Sequence, residues 1–166
     1  MDLQVTDLLA INNLIADYVL AIDNREIDRF ADLWAADAVV RVRRDRAGLG
    51  APLRGREAIL AAYAGWFERN PHSEPGTFMR HFCTNPRLEP DGEDVVGETA
   101  MLSVGQRLDG DRVRMAPSAT GAYRDRFIRT ADGWRFAERL IAWDPPEVEG
   151  TELPVELYGT LPPPDA

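Results

Sequence analysis

The chain holds two histidines, and one of them, His81, stands in the stretch MRHFCTNP at residues 79–86. Alternation along an extended segment puts Met79, His81, Cys83 and Asn85 on one face and Phe78, Arg80, Phe82 and Thr84 on the other. An imidazole among apolar neighbours has two readings. It is a core side chain with a satisfied hydrogen bond, or it faces a cavity where its proton is used, since histidine ordinarily titrates between pH 5 and 8. The second histidine, His72, lies in the polar stretch NPHSEPG and is expected to be solvated.

Five further groups have the chemistry to act with His81. Tyr18 and Asp23 fall at the end of an apolar-periodic run. They are more than one helical turn apart, so both reach one cavity only where the helix unwinds; otherwise Asp23 makes a local turn bond and Tyr18 is core. Arg139 shares a strand face with Ala137, Ile141 and Trp143 and must find an anion or a wet cavity, because an unpaired buried charge is costly. A surface partner such as Glu138 is the alternative. Tyr123 and Asp125, in AYRDRF, share a face with Phe127 and are candidate cavity residues. Other chemistries lack their residues: there is no Cys/His cluster for zinc, no GxGxxG or Walker A sequence, and no oxyanion turn beside Cys83. No metal and no cofactor is expected.

The elements that must position these residues follow from period and punctuation. Leu8, Ile11, Leu14, Ile15, Tyr18, Val19 and Ile22 predict a helix over 6–23 with Thr6 as its cap. A short second helix carries Ile27, Phe30, Leu33 and Trp34 on one side. A short strand at 39–43 and a glycine- and proline-bearing loop lead to a third helix over 56–68, ended by Asn70-Pro71. The period then changes. Extended segments at 77–89, 94–107, 112–129 (with a candidate break at Pro117) and 134–143 are separated by Asp91-Gly92, Asp109-Gly110 and Asp132-Gly133, which are hairpin signals. Helices first and an antiparallel meander after them is an α+β plan. We expect a cone: a strongly curved sheet wrapped around three helices, with an internal pocket. The domain is expected to span 1–146, followed by an acidic, proline-rich tail over 147–166. Val155, Leu157, Tyr158 and Leu161 of that tail either cover the pocket mouth or belong to a disordered end.

Composition sets the outer bounds. The 166 residues are 45% hydrophobic and 28% charged, enough for one domain with a real core. A net charge of −9 argues against nucleic-acid binding and against anionic membranes. No apolar segment is expected to approach bilayer-spanning length, and the opening MDLQVTDLLAINN does not read as a signal peptide. With a single cysteine, a reducing, cytoplasmic location is the expectation.

Three stretches, ADYVLAIDNREIDRFADLWAADAVV, MRHFCTNPRLEPDGEDV and AYRDRFIRTADGWRFAERLIAW, resemble the SnoaL-like, scytalone-dehydratase-related branch of the nuclear transport factor two-like superfamily over about residues 5–144. Asp23 with His81 followed by Thr84-Asn85 is similar to the Asp–His dyad of scytalone dehydratase, hexachlorocyclohexane dehydrochlorinase and bile acid 7α-dehydratase. Tyr18 occupies the place of a Tyr or Lys before the Asp, and Arg139 corresponds to a final-strand arginine of some members. The chain lacks the second pocket histidine of scytalone dehydratase, and Val104 stands near an acid of the bile acid enzyme.

The resemblance implies a trimer or dimer and cofactor-independent elimination on a small-molecule substrate. In that reading Asp23 orients His81, His81 takes a proton from carbon, Tyr18 donates to the departing oxygen, and Arg139 neutralises developing charge. Trp34, Trp66, Phe67, Phe82 and Trp143 would wall a pocket for a cyclic, largely apolar molecule. An isomerase or polyketide cyclase would need the same proton abstraction, and a binding module would need only the cavity.

Overall fold

The fold is described here from a computed structural model over residues 3–45, 48–69 and 78–144. Asn70-Pro71, His72, Pro145-Pro146 and the 147–166 tail fall outside the described residues. Helices α1 (Val5–Asn24) and α2 (Ile27–Ala31) precede strand β1 (Trp34–Asp45) and the short β2 (Gly48–Leu49) and β3 (Leu53–Arg54). Helix α3 (Arg56–Arg69) follows, and the chain finishes as a meander of β4 (Phe78–Asp91), β5 (Asp94–Asp109), β6 (Arg112–Thr130) and β7 (Gly133–Trp143). This is the expected α+β plan. The sheet order is β2-β1-β7-β6-β5-β4, with β3 also on β1; β1 runs parallel to β7 and all other pairs are antiparallel. The sheet is curved and open, with β4 at one edge. Gly92, Gly110 and Gly133 close the three hairpins at φ 67°, 65° and 104°, a region that glycine enters without steric cost.

Helix α1 buries Ile11, Leu14, Ile15, Tyr18 and Ile22 against the concave side of the sheet, where Phe30, Trp34, Val40, Ile59, Phe127 and Phe136 complete the core. By length and apolar composition alone α1 is a candidate membrane span, contrary to expectation. Here its apolar stripe is spent on the core, and its N-terminus is tied down by Asp7. The cap is Gln4 rather than Thr6, because Asp7, three residues on, accepts the Gln4 backbone N–H at 3.4 Å. Asp7 also accepts from Trp134 Nε1 at 3.2 Å and pairs with Arg129, which joins the start of α1 to β6 and β7.

Several elements depart from expectation: β1 runs Trp34–Asp45 rather than 39–43, the loop after it carries β2 and β3, and the second helix and β6 also differ. Leu33 and Trp34 leave the second helix: the Phe136 N–H of β7 bonds the Leu33 carbonyl at 2.9 Å, and β1 starts at Trp34. A long-range sheet bond overrides a helical spacing that the local sequence satisfied. Strand β6 is not broken at Pro117. Pro117 pairs with Val104 and Ala119 with Ser103, leaving Ser118 as the extra residue of a bulge. A bulge tolerates the missing proline N–H and keeps the strand continuous.

Candidate active site

The last turn of α1 lies against the free edge of β4, and one carboxylate fastens them. Asp23 Oδ1 is 2.6 Å from His81 Nδ1, and Asp23 Oδ2 accepts the His81 backbone N–H at 2.9 Å. The Arg80 guanidinium adds a bond to the Asp23 carbonyl at 3.4 Å. An edge strand leaves alternate N–H groups unpaired, and Asp23 takes one of them. The same carboxylate therefore fixes the backbone position of His81 and its ring direction. In the neutral ring, with Asp23 accepting, the proton sits on Nδ1 and Nε2 keeps a lone pair. The side chains are 8% and 4% exposed, so water competes little for this bond.

His81 lines a cavity of about 450 Å³ between the sheet and helices α1 and α3. Tyr18, Tyr123, Trp66 and Trp143 also line it, as do Tyr63, Ser103 and Ser118. The Tyr18 and Tyr63 hydroxyls are 2.8 Å apart. Burial pushes the Tyr18 hydroxyl above the ordinary phenol range, with Arg139 pulling the other way; burial, then the neighbouring Tyr18, push Tyr63 well above it. Both hydroxyls thus stay protonated at neutral pH and can donate. Ser103 Oγ and Ser118 Oγ form a second pair at 2.6 Å. Ser103 stands directly opposite His81 in the β4–β5 register, and Ser118 reaches it through the Pro117 bulge.

Neither Tyr63 nor the two serines is among the site residues expected from the sequence. Tyr63 shares the helical face of Trp66, which was a usable signal. The serine pair depends on a bulge that no local pattern announces.

Other expected site residues lie elsewhere. Arg139 does not face the cavity: it is fully buried and forms a fork with Asp125, Nε to Oδ1 and Nη2 to Oδ2, both 2.7 Å. Its guanidinium carbon lies 3.8 Å, 4.1 Å and 4.3 Å from the ring centroids of Tyr18, Phe136 and Tyr123. Those rings stand beside Nη1, which is buried without a hydrogen bond among the described residues. Burial works against the charge on Arg139, but Asp125 and the two phenols more than offset it and hold the guanidinium protonated. Burial likewise pushes the Asp125 carboxyl up while Arg139 opposes this; two short bonds from one guanidinium are the geometry of a carboxylate.

Trp34 is a core side chain, stacked near Phe136 at 5.2 Å, because β1 begins there. Phe67 packs on Trp66 and Tyr63 behind the cavity wall. Phe82 is half exposed on the outer face of β4, as alternation with His81 requires. Asn85 leaves the His81 face at a bulge, with φ 54°. Burial pushes the Cys83 thiol up to about 11, which makes it a poor nucleophile at neutral pH.

The SnoaL-like domain family matches residues 4–140. An uncharacterised protein of Mycobacterium tuberculosis is 26% identical over 137 residues, which is 82% of this chain and 85% of that protein. An NTF2-like protein with a cystatin-like fold from Novosphingobium aromaticivorans superposes with a TM-score of 0.67 at 24% identity, covering 89% of this chain and 86% of that one. A candidate dehydratase of the NTF2-like family from Streptomyces avermitilis superposes with a TM-score of 0.67 at 15% identity, covering 85% and 99%. These two likenesses establish the fold. With its helices on a curved mixed sheet and a cavity between them, the chain belongs to the SnoaL-like domain family.

Proposed function

We propose that the protein is a cofactor-independent lyase that eliminates water from a cyclic, largely apolar small molecule, with His81 as general base. One observation carries the reading: a buried Asp23–His81 bond of 2.6 Å whose imidazole lines an apolar cavity. His81 Nε2 takes a proton from the carbon beside a carbonyl. The C–H electron pair becomes the new double bond as the hydroxyl leaves from the next carbon. Asp23 stabilises the imidazolium that forms, and the departing oxygen collects a proton to leave as water. The Tyr18–Tyr63 pair keeps one phenol proton free of the bond between them, and that proton can be donated to an enolate or leaving oxygen. In a cavity that excludes water such a donor is worth more than in solution. Arg139, expected to neutralise substrate charge, is assigned instead to holding the Tyr18 and Tyr123 rings in place.

A second reading, isomerisation of a double bond, uses the same groups. It is favoured by the protonated Tyr18–Tyr63 pair, which suits an enolate that waits for its proton to return to another carbon.

The test is turnover on a panel of cyclic β-hydroxy ketones, followed by loss of hydroxyl or migration of the double bond. His81→Gln should lower kcat/KM by about 10²- to 10⁴-fold. Asp23→Asn should also lower it, through the lost tautomer control. A folded His81→Gln protein with undiminished turnover ends the proposal.

A further inference from the structure

Among the described side chains lining the cavity, one is permanently charged: Arg69, in the last turn of α3. Ala62, Tyr63, Trp66 and Arg69 recur at helical spacing and share the cavity face, so the guanidinium lies at the open end of an aromatic wall. Arg69 is exposed, while the His81 side chain is only 8% exposed, which places the cation at the mouth and the imidazole deeper. No carboxylate among the described residues pairs with Arg69. A basic residue in a last helical turn is ordinary, since it complements the helix dipole. Its position here is less ordinary. One turn earlier stands Gly65, where a Cβ would come within 3.2 Å of Arg69 Nη1. Glycine in a helix interior is destabilising relative to alanine. The space left by that missing side chain is where the Arg69 guanidinium rests.

We propose that Arg69 forms an anion subsite at the cavity mouth and that the substrate carries a carboxylate, held there while its ring system fills the apolar cavity. The assignment of the bound molecule as substrate rests on the lyase reading; the subsite itself does not. A guanidinium fork suits a carboxylate through two parallel N–H bonds. The described walls beyond it offer aromatic surface and a few hydroxyls, with no second fixed charge among the described residues, which favours a ligand whose remainder is uncharged.

The experiment uses isothermal titration calorimetry on the full chain with two matched probes, 2-naphthoate and the neutral 2-naphthamide. Wild type should bind the carboxylate about tenfold more tightly than the amide, a difference of about 1.4 kcal/mol. Arg69→Gln should bring that ratio close to one without weakening the amide, and Arg69→Lys should keep part of the preference. His81→Gln should leave the ratio intact, which separates this subsite from the proposed base. A ratio near one in wild type, a preference that survives Arg69→Gln, or no saturable binding of either probe would overturn the subsite. Should the preference depend on Arg69 while His81→Gln keeps full turnover, the subsite stands and the lyase reading falls.

Discussion

At the scale of single residues, two charged pairs do different work. Asp23–His81 leaves one imidazole nitrogen without a hydrogen bond among the described residues, beside a cavity, so it has chemistry in reserve. Arg139–Asp125 is sealed: both side chains are 0% exposed and both carboxylate oxygens are bonded. A buried pair of this kind is costly to break, because the survivor is left charged in a dry interior. Arg139→Met should therefore destabilise the fold by about 3–5 kcal/mol, read as a fall in the urea midpoint. The double variant Arg139→Met with Asp125→Leu should recover much of that loss, since two apolar side chains of similar volume leave no orphan charge. A single variant as stable as wild type would show that the pair is not what holds Tyr18 and Tyr123 together. The pairing was hard to read from sequence for a definite reason. Counting back from the Asp132-Gly133 turn places Asp125 opposite Glu138 and Arg139 opposite Arg124. A one-residue bulge between Phe136 and Glu138 shifts the register, so that Asp125 faces Arg139. Buried Trp134 and Phe136 lie on one side of that bulge, and buried Arg139 and Ile141 on the other.

Among elements, α1 matters most, because it carries both Tyr18 and Asp23 and must be fixed at each end. At its C-terminus Asp23 is bonded to the β4 edge. At its N-terminus Asp7 meets Arg129, Trp134 and the Gln4 N–H. The Arg129 hydrogen bond chiefly holds the Asp7 carboxyl below the usual carboxylate range, against the opposing effect of burial. A carboxyl lowered in the folded state stabilises the fold above its unfolded-state pKa of about 3.9, and that stability is lost as pH falls through the lower, folded value. Thermal melts of wild type from pH 5 to pH 2 should thus slope downward more steeply than those of Asp7→Asn, with the two curves converging at the acid end. Parallel curves would contradict a lowered Asp7. The extent of α1 was legible, because seven apolar positions at helical spacing leave little choice. The end of α2 was not: Ile27, Phe30, Leu33 and Trp34 fit a helix locally, and only the bond from Phe136 to the Leu33 carbonyl turns the chain out of the helix so that Trp34 opens β1.

For the whole molecule, the sheet's two faces set the remaining question. The concave face holds the core and the cavity. On the convex face Phe78, Phe82, Leu108, Val113 and Met115 are each 44–50% exposed, and the register sets Phe82 beside Leu102 and Leu108 beside Val113. The meander and the Asp23–His81 dyad could be anticipated from Asp-Gly turns, strand alternation and family resemblance. The exposed side of Phe82 could not, because alternation says that it opposes His81 but not which face the helices cover. We propose that this apolar band, on an edge strand and its neighbours, is where a second copy of the chain docks. A self-associated wild type is therefore expected in sedimentation velocity at micromolar concentration. Phe82→Glu should shift it toward the monomer, since a charge replaces the most exposed apolar side chain of the band. Because Phe82 points away from the cavity, binding of a neutral aromatic probe inside should be unchanged in the same variant. A monomeric wild type, or a Phe82→Glu protein that associates as before, would remove this face from the account of assembly.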